Sequence, residues 1–198
     1  MKTIQINGCD FDIHDGPIGL ALSGGADSAI MLYVLMFHAP GPIHIFTCAN
    51  KLKQRTNSII AHNVISKLLD HIHRDDVYHH NFFVEKQTFE SLFHPLYRFI
   101  SDYKLDVIYT AGTALPPDQD LWDKQKFSTD CGLYEKRNQN TRRPVYNNGF
   151  YSPWWNFDKK FVAEVYASLG MTDILYPITR SCESQTQFQG HCGKMLVV

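Results

Sequence analysis

The chain contains the stretch Pro17-Ile18-Gly19-Leu20-Ala21-Leu22-Ser23-Gly24-Gly25-Ala26-Asp27-Ser28, and the predicted fold depends on it. Its first half is a short apolar run, typical of a strand buried on both faces in a parallel sheet. A glycine-rich turn follows, and the next apolar segment, Ala29 to Phe37, predicts a buried helix. Ligands of open α/β sheets bind where such a strand ends and the next helix begins.

The turn itself suits an anion. Its two adjacent glycines let the backbone come close to a ligand, and successive N–H groups point into the same space. The helix dipole and the hydroxyls of Ser23 and Ser28 add to the attraction for phosphate oxygens. A Walker loop needs G-x-x-x-x-G-K followed by Ser or Thr, and a dinucleotide fingerprint needs G-x-G-x-x-G; the turn fits neither pattern.

Strands alternate with helices on both sides of this stretch. Further strands are predicted at Ile43–Thr47, Val77–Val84 and Asp106–Thr110, and helices at Arg55–Leu69 and Phe89–Tyr103, the latter kinked or restarted at Pro95. Alternation of this kind predicts an α/β fold, a parallel sheet with helices on both faces. At the start of the chain, Asn7-Gly8 joins two short alternating runs and predicts an N-terminal hairpin.

The periodicity stops between Ala114 and Phe157, where we expect an irregular insert within one domain that spans residues 1–198. After the insert, Asp158 to Leu169 predicts a helix with Asp158 as its N-cap and Gly170 ending it. The Trp154-Trp155 pair is expected to pack the insert onto the domain or to stack on a purine-like substrate.

Composition excludes several classes of protein. Of the 198 residues, 44% are hydrophobic and 20% charged, an ordinary globular balance, and a net charge of −1 gives no strong nucleic-acid signal. No apolar run is long enough for a membrane span, so no membrane partner is expected. Five widely spaced cysteines fit reduced cytosolic thiols, which predicts a cytoplasmic protein; a homodimer stays open.

The hexapeptide Ser23-Gly24-Gly25-Ala26-Asp27-Ser28 resembles the PP-loop, Ser-Gly-Gly-x-Asp-Ser, of the N-type ATP pyrophosphatases. Their superfamily is also called adenine nucleotide α-hydrolase-like. The resemblance implies a Rossmann-like α/β fold and cleavage of ATP between its α and β phosphates. A substrate oxygen would be adenylated while pyrophosphate leaves.

A narrower resemblance, to the 7-cyano-7-deazaguanine synthase family of queuosine biosynthesis, is carried by later segments. Gln54-Arg55 resembles that family's Gly-Gln-Arg helix start, and Phe157-Asp158-Lys159-Lys160-Phe161 through Leu169-Gly170 resembles its Leu-Thr-Lys-Ala-Glu-Ile-Val … Leu-Gly helix. Thr110-Ala111-Gly112-Thr113 lies where the superfamily has a glycine-containing loop beside the ATP phosphates. The tail segments Ser181-Cys182-Glu183 and His191-Cys192-Gly193-Lys194 resemble a zinc segment.

The tail departs from that family's pattern. The family's zinc segment carries four cysteines, the last three spaced C-x-x-C-x-x-C, whereas here Met195 and Val198 follow Cys192 at those places. Cys182, His191 and Cys192 therefore form an incomplete zinc site, a remnant with at most three protein ligands, and we expect little or no zinc. The insert also lacks a copy of the family's substrate loop at Leu115-Pro116-Pro117-Asp118.

By resemblance, the chain is expected to be an ATP-dependent ligase that uses ATP and Mg²⁺. It would adenylate a small carboxylate similar to 7-carboxy-7-deazaguanine and use ammonia to form an amide and then a nitrile. Asp27, Ser28 and Lys159 are the expected catalytic residues, with Asp27 orienting the loop or Mg²⁺ and Lys159 acting at the α phosphate. The expected nucleotide-binding residues are Leu22, Ser23, Gly24, Gly25, Asp27, Ser28, Thr47, Gly112 and Thr113, with Leu22 and Thr47 at the adenine and the others at the phosphates.

Alternatives remain open. A PP-loop enzyme could instead transfer sulfur to a nucleic-acid base or reduce an adenylylated sulfate, with Cys48 or Cys131 as the reactive thiol. A non-catalytic ATP-binding protein is a third hypothesis. Arg55 is a weaker candidate for a phosphate or substrate contact. The histidines of His71-Ile72-His73 and His79-His80 are interpreted as a polar helix-to-strand connection, because no cysteine or carboxylate with ligand spacing accompanies them.

Overall fold

The computed structural model of the protein describes residues 1–50, 57–85, 89–113 and 142–180. Its elements, in chain order, are β1 (Lys2–Ile6), β2 (Cys9–Ile13), β3 (Ile18–Ala21), α1 (Ala26–His38), β4 (Ile43–Asn50), α2 (Asn57–His71), β5 (Val77–Val84), α3 (Phe89–Asp102), β6 (Val107–Thr110), β7 (Val145–Asn147), β8 (Phe150–Ser152), α4 (Lys159–Ser168) and a 3₁₀ turn (Tyr176–Ile178). Strand β4 is three residues longer than predicted.

A six-stranded sheet forms the centre, in the order β5-β4-β3-β6-β8-β7. Strand β3 lies between β4 and β6 and pairs in parallel with both, as its continuous apolar sequence predicts. Only β7 is antiparallel to its neighbour. The carboxyl ends of the five parallel strands therefore meet at one edge of the sheet, where the Ser23–Ser28 turn begins.

Helices cover both faces of the sheet, which confirms the predicted α/β class. On one face, buried apolar residues of the hairpin, β3, α1, α2 and α4 form a single cluster. On the other face, a smaller cluster around Phe46, Ile108 and Phe150 packs against α3. No helix within the described part of the chain is long and apolar enough to cross a membrane.

Gly19 lets this second face pack closely. A Cβ at residue 19 would lie 2.7 Å from the Ile108 side chain and 3.0 Å from the Phe46 ring. Such distances are shorter than atoms tolerate, so a larger residue would force the strand and its packing apart.

The N-terminal hairpin is confirmed. Asn7 and Gly8 both have positive φ, 48° and 76°, as the tight turn between β1 and β2 requires. Two tyrosines hold the hairpin against the sheet: the Tyr109 hydroxyl donates to the carbonyl oxygen of Asp12 (2.7 Å), and the Tyr151 hydroxyl accepts from the Asp12 N–H (2.9 Å).

The predicted irregular insert is wrong for its last third. The chain forms the hairpin β7–β8 there, and β8 pairs in parallel with β6. Asn148 and Gly149 supply the turn with φ of 49° and 82°. Each strand has three residues, which is too short for alternation to be recognised in the sequence. Residues 114–141 lie outside the described part.

Trp154 follows β8 and is part of the core rather than of a binding surface. Its side chain is fully buried, 6.1 Å by ring centroids from both Phe11 and Phe161. This outcome supports the packing alternative for the Trp154-Trp155 pair. Helix α3 runs from Phe89 to Asp102 with Pro95 inside it, so the helix does not restart there; a restart was one of the two alternatives expected.

Helix α4 begins and ends as predicted. The Asp158 carboxylate accepts the Phe161 N–H at 3.0 Å, a side-chain N-cap. Beyond the helix, Gly170 has φ of 66°, a left-handed conformation that ends helices at little cost when the residue is glycine.

One arginine joins the end of α1 to the start of β4. The Arg74 guanidinium donates to the carbonyl oxygens of Met36 (3.1 Å), Ala39 (2.6 Å) and Gly41 (2.8 Å). It also forms a bidentate pair with Asp76, at 2.7 and 2.6 Å. Arg74 therefore satisfies carbonyls that the end of a helix leaves without partners.

We predict that Arg74→Met lowers the free energy of unfolding by about 3 kcal/mol, because it leaves Asp76 and three carbonyls without their donor. Urea unfolding measures the loss. Lys160→Met is the matched control, since Lys160 lies 4.0 Å from Glu164 in an exposed pair that contributes little. Equal stability of the two variants would contradict this role of Arg74.

Asp76 makes stability depend on acid pH. The hydrogen bond from Arg74, helped by its charge, holds the pKa of Asp76 below its usual 3.8, although burial opposes this. The ionised carboxylate therefore stabilises the folded state above the unfolded pKa and loses that contribution as pH falls through the lower folded pKa. We expect the stability difference between the natural chain and Asp76→Asn to be constant above about pH 5 and to shrink below 3.8 in urea unfolding at each pH.

Candidate active site

The Ser23–Ser28 turn connects β3 to α1, as predicted, and its last three residues form the start of the helix. Gly24 has φ of 82°, and a Cβ there would lie 2.9 Å from the Ile60 side chain, so only glycine fits without strain. Gly25 is the N-cap residue of α1 and supplies no side-chain cap. The first N–H groups of α1 therefore face the turn without a capping side chain.

The two serines of the turn differ in exposure and contacts. Ser28 is buried, and its hydroxyl donates to the carbonyl oxygen of Gly25 (3.2 Å) and accepts from the Ser23 N–H (3.3 Å). Ser23 is exposed, and its hydroxyl accepts the Gly25 N–H at 3.2 Å. The serine oxygens lie 3.1 Å apart. Ser28 thus fixes the shape of the turn, while Ser23 lies on its open side.

Asp27 is the point at which distant segments meet. Its Oδ2 forms an ion pair with the Lys159 ammonium and accepts a hydrogen bond from the Thr113 hydroxyl at 3.3 Å. Its Oδ1 is buried and has no hydrogen-bond partner within the described residues. A buried carboxylate oxygen of this kind is an acceptor that a ligand or a cation can use.

Lys159 is the first residue of α4, where the helix dipole disfavours a cation. The expected partner of Lys159 is the α phosphate of ATP, and the structure shows a further anionic partner within the chain, Asp27. The Lys159 side chain remains 42% exposed, against 15% for Asp27, so the ammonium also faces solvent at the edge of the turn. It can therefore bind a second anion without breaking the pair.

Thr113 and Gly112 follow β6 at the same edge of the sheet. Thr113 is buried, and its hydroxyl hydrogen-bonds to Asp27, whereas Gly112 is half-buried. Thr110 is the last residue of β6, and its hydroxyl is hydrogen-bonded to that of Ser152, the last residue of the neighbouring strand β8. The end of β6 is thus attached both to the turn and to β8.

Of the two residues expected near adenine, Leu22 directly follows β3 and Thr47 lies on the neighbouring strand β4. The Leu22 N–H donates to the carbonyl oxygen of Phe46 at 2.9 Å, so that amide is used within the sheet. Thr47 is fully buried, and its hydroxyl is hydrogen-bonded to His79 Nε2 at 3.0 Å. Sequence reasoning missed this contact, although the pairing of β4 with β5 was predictable.

The histidine interpretation needs correction. His79 and His80 lie inside β5 with their side chains on opposite faces, because successive residues of a strand alternate. His80 Nε2 lies 3.1 Å from His44 Nδ1, and burial lowers the pKa of both imidazoles. Within the described ranges, no group of three or more His, Cys, Asp or Glu could hold a metal ion.

Two groups near the turn were not anticipated. The Tyr166 hydroxyl donates to the carbonyl oxygen of Ala26 (2.9 Å), and the Arg180 N–H donates to that of Gly24 (2.8 Å). Tyr166 lies two helical turns after Lys159 on the same face of α4, a spacing that could have revealed it. Arg55, Cys131, Cys182, His191 and Cys192 lie outside the described residues.

Residues 13–115, just over half of the chain, match the family model described as asparagine synthase. The chain belongs to the asparagine synthase family. The match contains the whole turn, Thr47 and Thr113, and it ends before Lys159. Family membership confirms the PP-loop, adenine nucleotide α-hydrolase-like superfamily, whereas the likeness to 7-cyano-7-deazaguanine synthase stays a prediction.

Solved structures resemble this fold. NMN synthetase from Francisella tularensis superposes with a TM-score of 0.50 at 15% identity, covering 90% of this chain and 70% of that one. The U34-tRNA thiolase NcsA from Methanococcus maripaludis gives 0.49 at 13% identity, covering 80% and 58%. The NH3-dependent NAD synthetase from Campylobacter jejuni gives 0.47 at 13% identity, covering 80% and 66%. No protein of curated function matches the chain.

Proposed function

We propose that this protein is an ATP-dependent ligase that adenylates a small-molecule carboxylate, releases pyrophosphate and passes the acyl group to ammonia. Family membership supports the ligase class. The observation that carries the proposal is the Asp27 carboxylate beside the turn, with one oxygen held by Lys159 and Thr113 and the other buried without a partner among the described residues.

The turn is suited to the pyrophosphate part of ATP. Anions bind at helix N-termini because unpaired N–H groups and the helix dipole face them, and α1 offers both beside the exposed Ser23 hydroxyl. No lysine follows the glycines, so nothing in the turn reaches the β and γ phosphates as the Walker lysine does. The absence of such a lysine from the turn favours cleavage of ATP between its α and β phosphates, with intact pyrophosphate as the leaving group.

The reaction has two steps that balance. An oxygen of the substrate carboxylate attacks the α phosphorus, the bond to the bridging oxygen breaks, and pyrophosphate leaves with that oxygen. Ammonia then attacks the acyl carbon, AMP leaves, and the nitrogen loses one proton to give an amide. Lys159 stabilises the negative charge at the α phosphate in the first step, because its exposed ammonium can contact a second anion.

The residues also fit Mg²⁺, which such ligases use with ATP. Mg²⁺ prefers carboxylate oxygens together with substrate phosphates, and the buried Asp27 Oδ1 is a free ligand of that kind. When bound, Mg²⁺ neutralises charge on the departing pyrophosphate. Lys159 and Thr113 hold the other oxygen, so they fix the direction in which Oδ1 points.

For the substrate, we propose a carboxylate similar to 7-carboxy-7-deazaguanine, activated a second time to give the nitrile. Support comes from the resemblance of the α4 segment and of the tail to the 7-cyano-7-deazaguanine synthase family. The first step does not depend on this choice, because the turn and Asp27 would act on the phosphates of ATP and not on the acceptor.

We predict that the protein, given Mg-ATP, ammonium and a panel of carboxylates that includes 7-carboxy-7-deazaguanine, forms AMP and pyrophosphate. The reason is that the Ser23–Ser28 turn contains no lysine like the one by which a Walker loop reaches the β and γ phosphates. Chromatography of the nucleotides identifies the product, and ¹⁵N-ammonium incorporation identifies amide formation. ADP and phosphate as main products would exclude the proposal, and AMP without ¹⁵N incorporation would favour sulfur transfer.

We further predict that Asp27→Ala and Lys159→Met each lower the rate of AMP formation by about 10²-fold or more, because preorganised groups at developing charge typically contribute about 2.7–4 kcal/mol. Ser28→Ala should lower it by a similar factor, because the buried hydroxyl that fixes the shape of the turn is lost. Lys160→Met is the matched control, since that neighbouring lysine is exposed and, in the described part of the chain, forms an ion pair with Glu164. Full activity in any of the first three variants would remove that residue from the site.

A further inference from the structure

The turn is held from outside through its carbonyl groups. The carbonyl oxygen of Gly24 accepts the Arg180 N–H (2.8 Å), and that of Gly25 accepts the Ala29 N–H (3.0 Å). The carbonyl oxygen of Ala26 accepts the Tyr166 hydroxyl (2.9 Å). Three consecutive peptide groups are thus each attached at their oxygen, and two of the donors come from the C-terminal part of the chain.

These attachments determine where the N–H groups point. A trans peptide is planar, and its N–H points opposite to its C=O. Fixing the carbonyls of Gly24, Gly25 and Ala26 therefore fixes the N–H group of the next residue in each case, namely those of Gly25, Ala26 and Asp27. The Gly25 N–H does face the open side of the turn, where it meets the Ser23 hydroxyl.

Both distant donors belong to well-packed structure. Tyr166 is buried on α4, with its ring 5.8 Å from that of Tyr176. Thr179 is fully buried, and its hydroxyl donates to the carbonyl oxygen of Tyr176 at 2.8 Å, so the peptide that carries the Arg180 N–H is itself held in place. The same helix α4 carries Lys159, which pairs with Asp27 one residue after Ala26.

We propose that the Tyr166 hydroxyl and the Arg180 main-chain N–H are positioning groups, which orient the N–H groups of the turn for pyrophosphate. The proposal rests on the proposed function for the identity of the anion. Neither group touches the anion; each acts through the carbonyl that it holds. Preorganised donors bind an anion more tightly than donors that must first turn toward it.

A pair of variants isolates the Arg180 N–H. Arg180→Pro removes the N–H, and Arg180→Ala keeps it, while both lose the guanidinium. Proline is compatible with the residue before it, because Thr179 has φ of −87° and ψ of 162°, in the extended region that precedes proline. A second pair is Tyr166→Phe, which removes one oxygen, and Tyr33→Phe on α1, a tyrosine whose ring is stacked on that of Phe37 at a centroid distance of 6.3 Å.

The first measurement is calorimetric binding of magnesium pyrophosphate, with hydrogen exchange of the amides of Gly25 to Asp27. We expect Arg180→Pro to bind about tenfold more weakly than Arg180→Ala, and Tyr166→Phe about three- to tenfold more weakly than Tyr33→Phe, as expected for one net hydrogen bond. Exchange at the three amides should be faster in the weakened variants. Equal affinity within both pairs would overturn the proposal.

The second measurement is AMP formation, which separates this inference from the ligase proposal. We expect kcat to fall in Arg180→Pro and Tyr166→Phe while KM for the carboxylate is unchanged, because the turn does not hold that substrate. If the variants show the expected differences in pyrophosphate affinity but the natural chain forms no AMP, the ligase proposal alone is overturned. If Arg180→Pro does not fold, as judged by thermal melting, Tyr166→Phe against Tyr33→Phe decides.

Discussion

The carboxylate of Asp27 joins parts of the chain that are far apart in sequence. It pairs with Lys159, 132 residues later, and accepts the Thr113 hydroxyl, 86 residues later. A partly buried carboxylate loses hydration, and the ammonium compensates for part of that loss. Its other oxygen remains buried without a partner in the described structure, which costs about 1–3 kcal/mol unless a ligand supplies the missing contact. The pair therefore fixes α1, β6 and α4 relative to one another and leaves one acceptor for function.

The parts of the fold that depend on local sequence could be predicted. The apolar run of β3 predicts a buried parallel strand, and Ser23-Gly24-Gly25 predicts a turn into a helix. In both cases the residue types themselves favour the backbone conformation that forms. Asn7-Gly8 determines the first hairpin in the same way. Asn148-Gly149 is an equally strong signal, but its strands have three residues each and depend on pairing with β6. A tertiary contact, rather than local pattern, forms that hairpin.

The candidate site also has one part that the sequence predicts and another that only the tertiary structure shows. The turn residues and Lys159 could be found from motifs, whereas the partner of Lys159 could not, since nothing in the local sequence of either residue specifies a contact over 132 positions. Ser28 is also different from expectation in its role, because its buried hydroxyl holds the Gly25 carbonyl rather than facing open space. The Leu22 N–H, which belongs to a residue expected near adenine, donates instead to the carbonyl oxygen of Phe46 within the sheet.

The N-termini of α1 and α4 show which helix is available to an anion. The N-cap residue of α4 is Asp158, whose carboxylate accepts the Phe161 N–H, so one of the unpaired N–H groups of that helix has a partner. The N-cap residue of α1 is Gly25, which has no side chain to do this. Glycine at an N-cap is only a few tenths of a kcal/mol worse than the better capping residues, so stability hardly opposes it. The N–H groups of α1 therefore lie at the turn without a capping side chain, close to the ion pair of Asp27 with Lys159. An anion at this end would meet both the N–H groups and the positive end of the helix dipole, whereas at α4 a carboxylate of the chain already occupies that position.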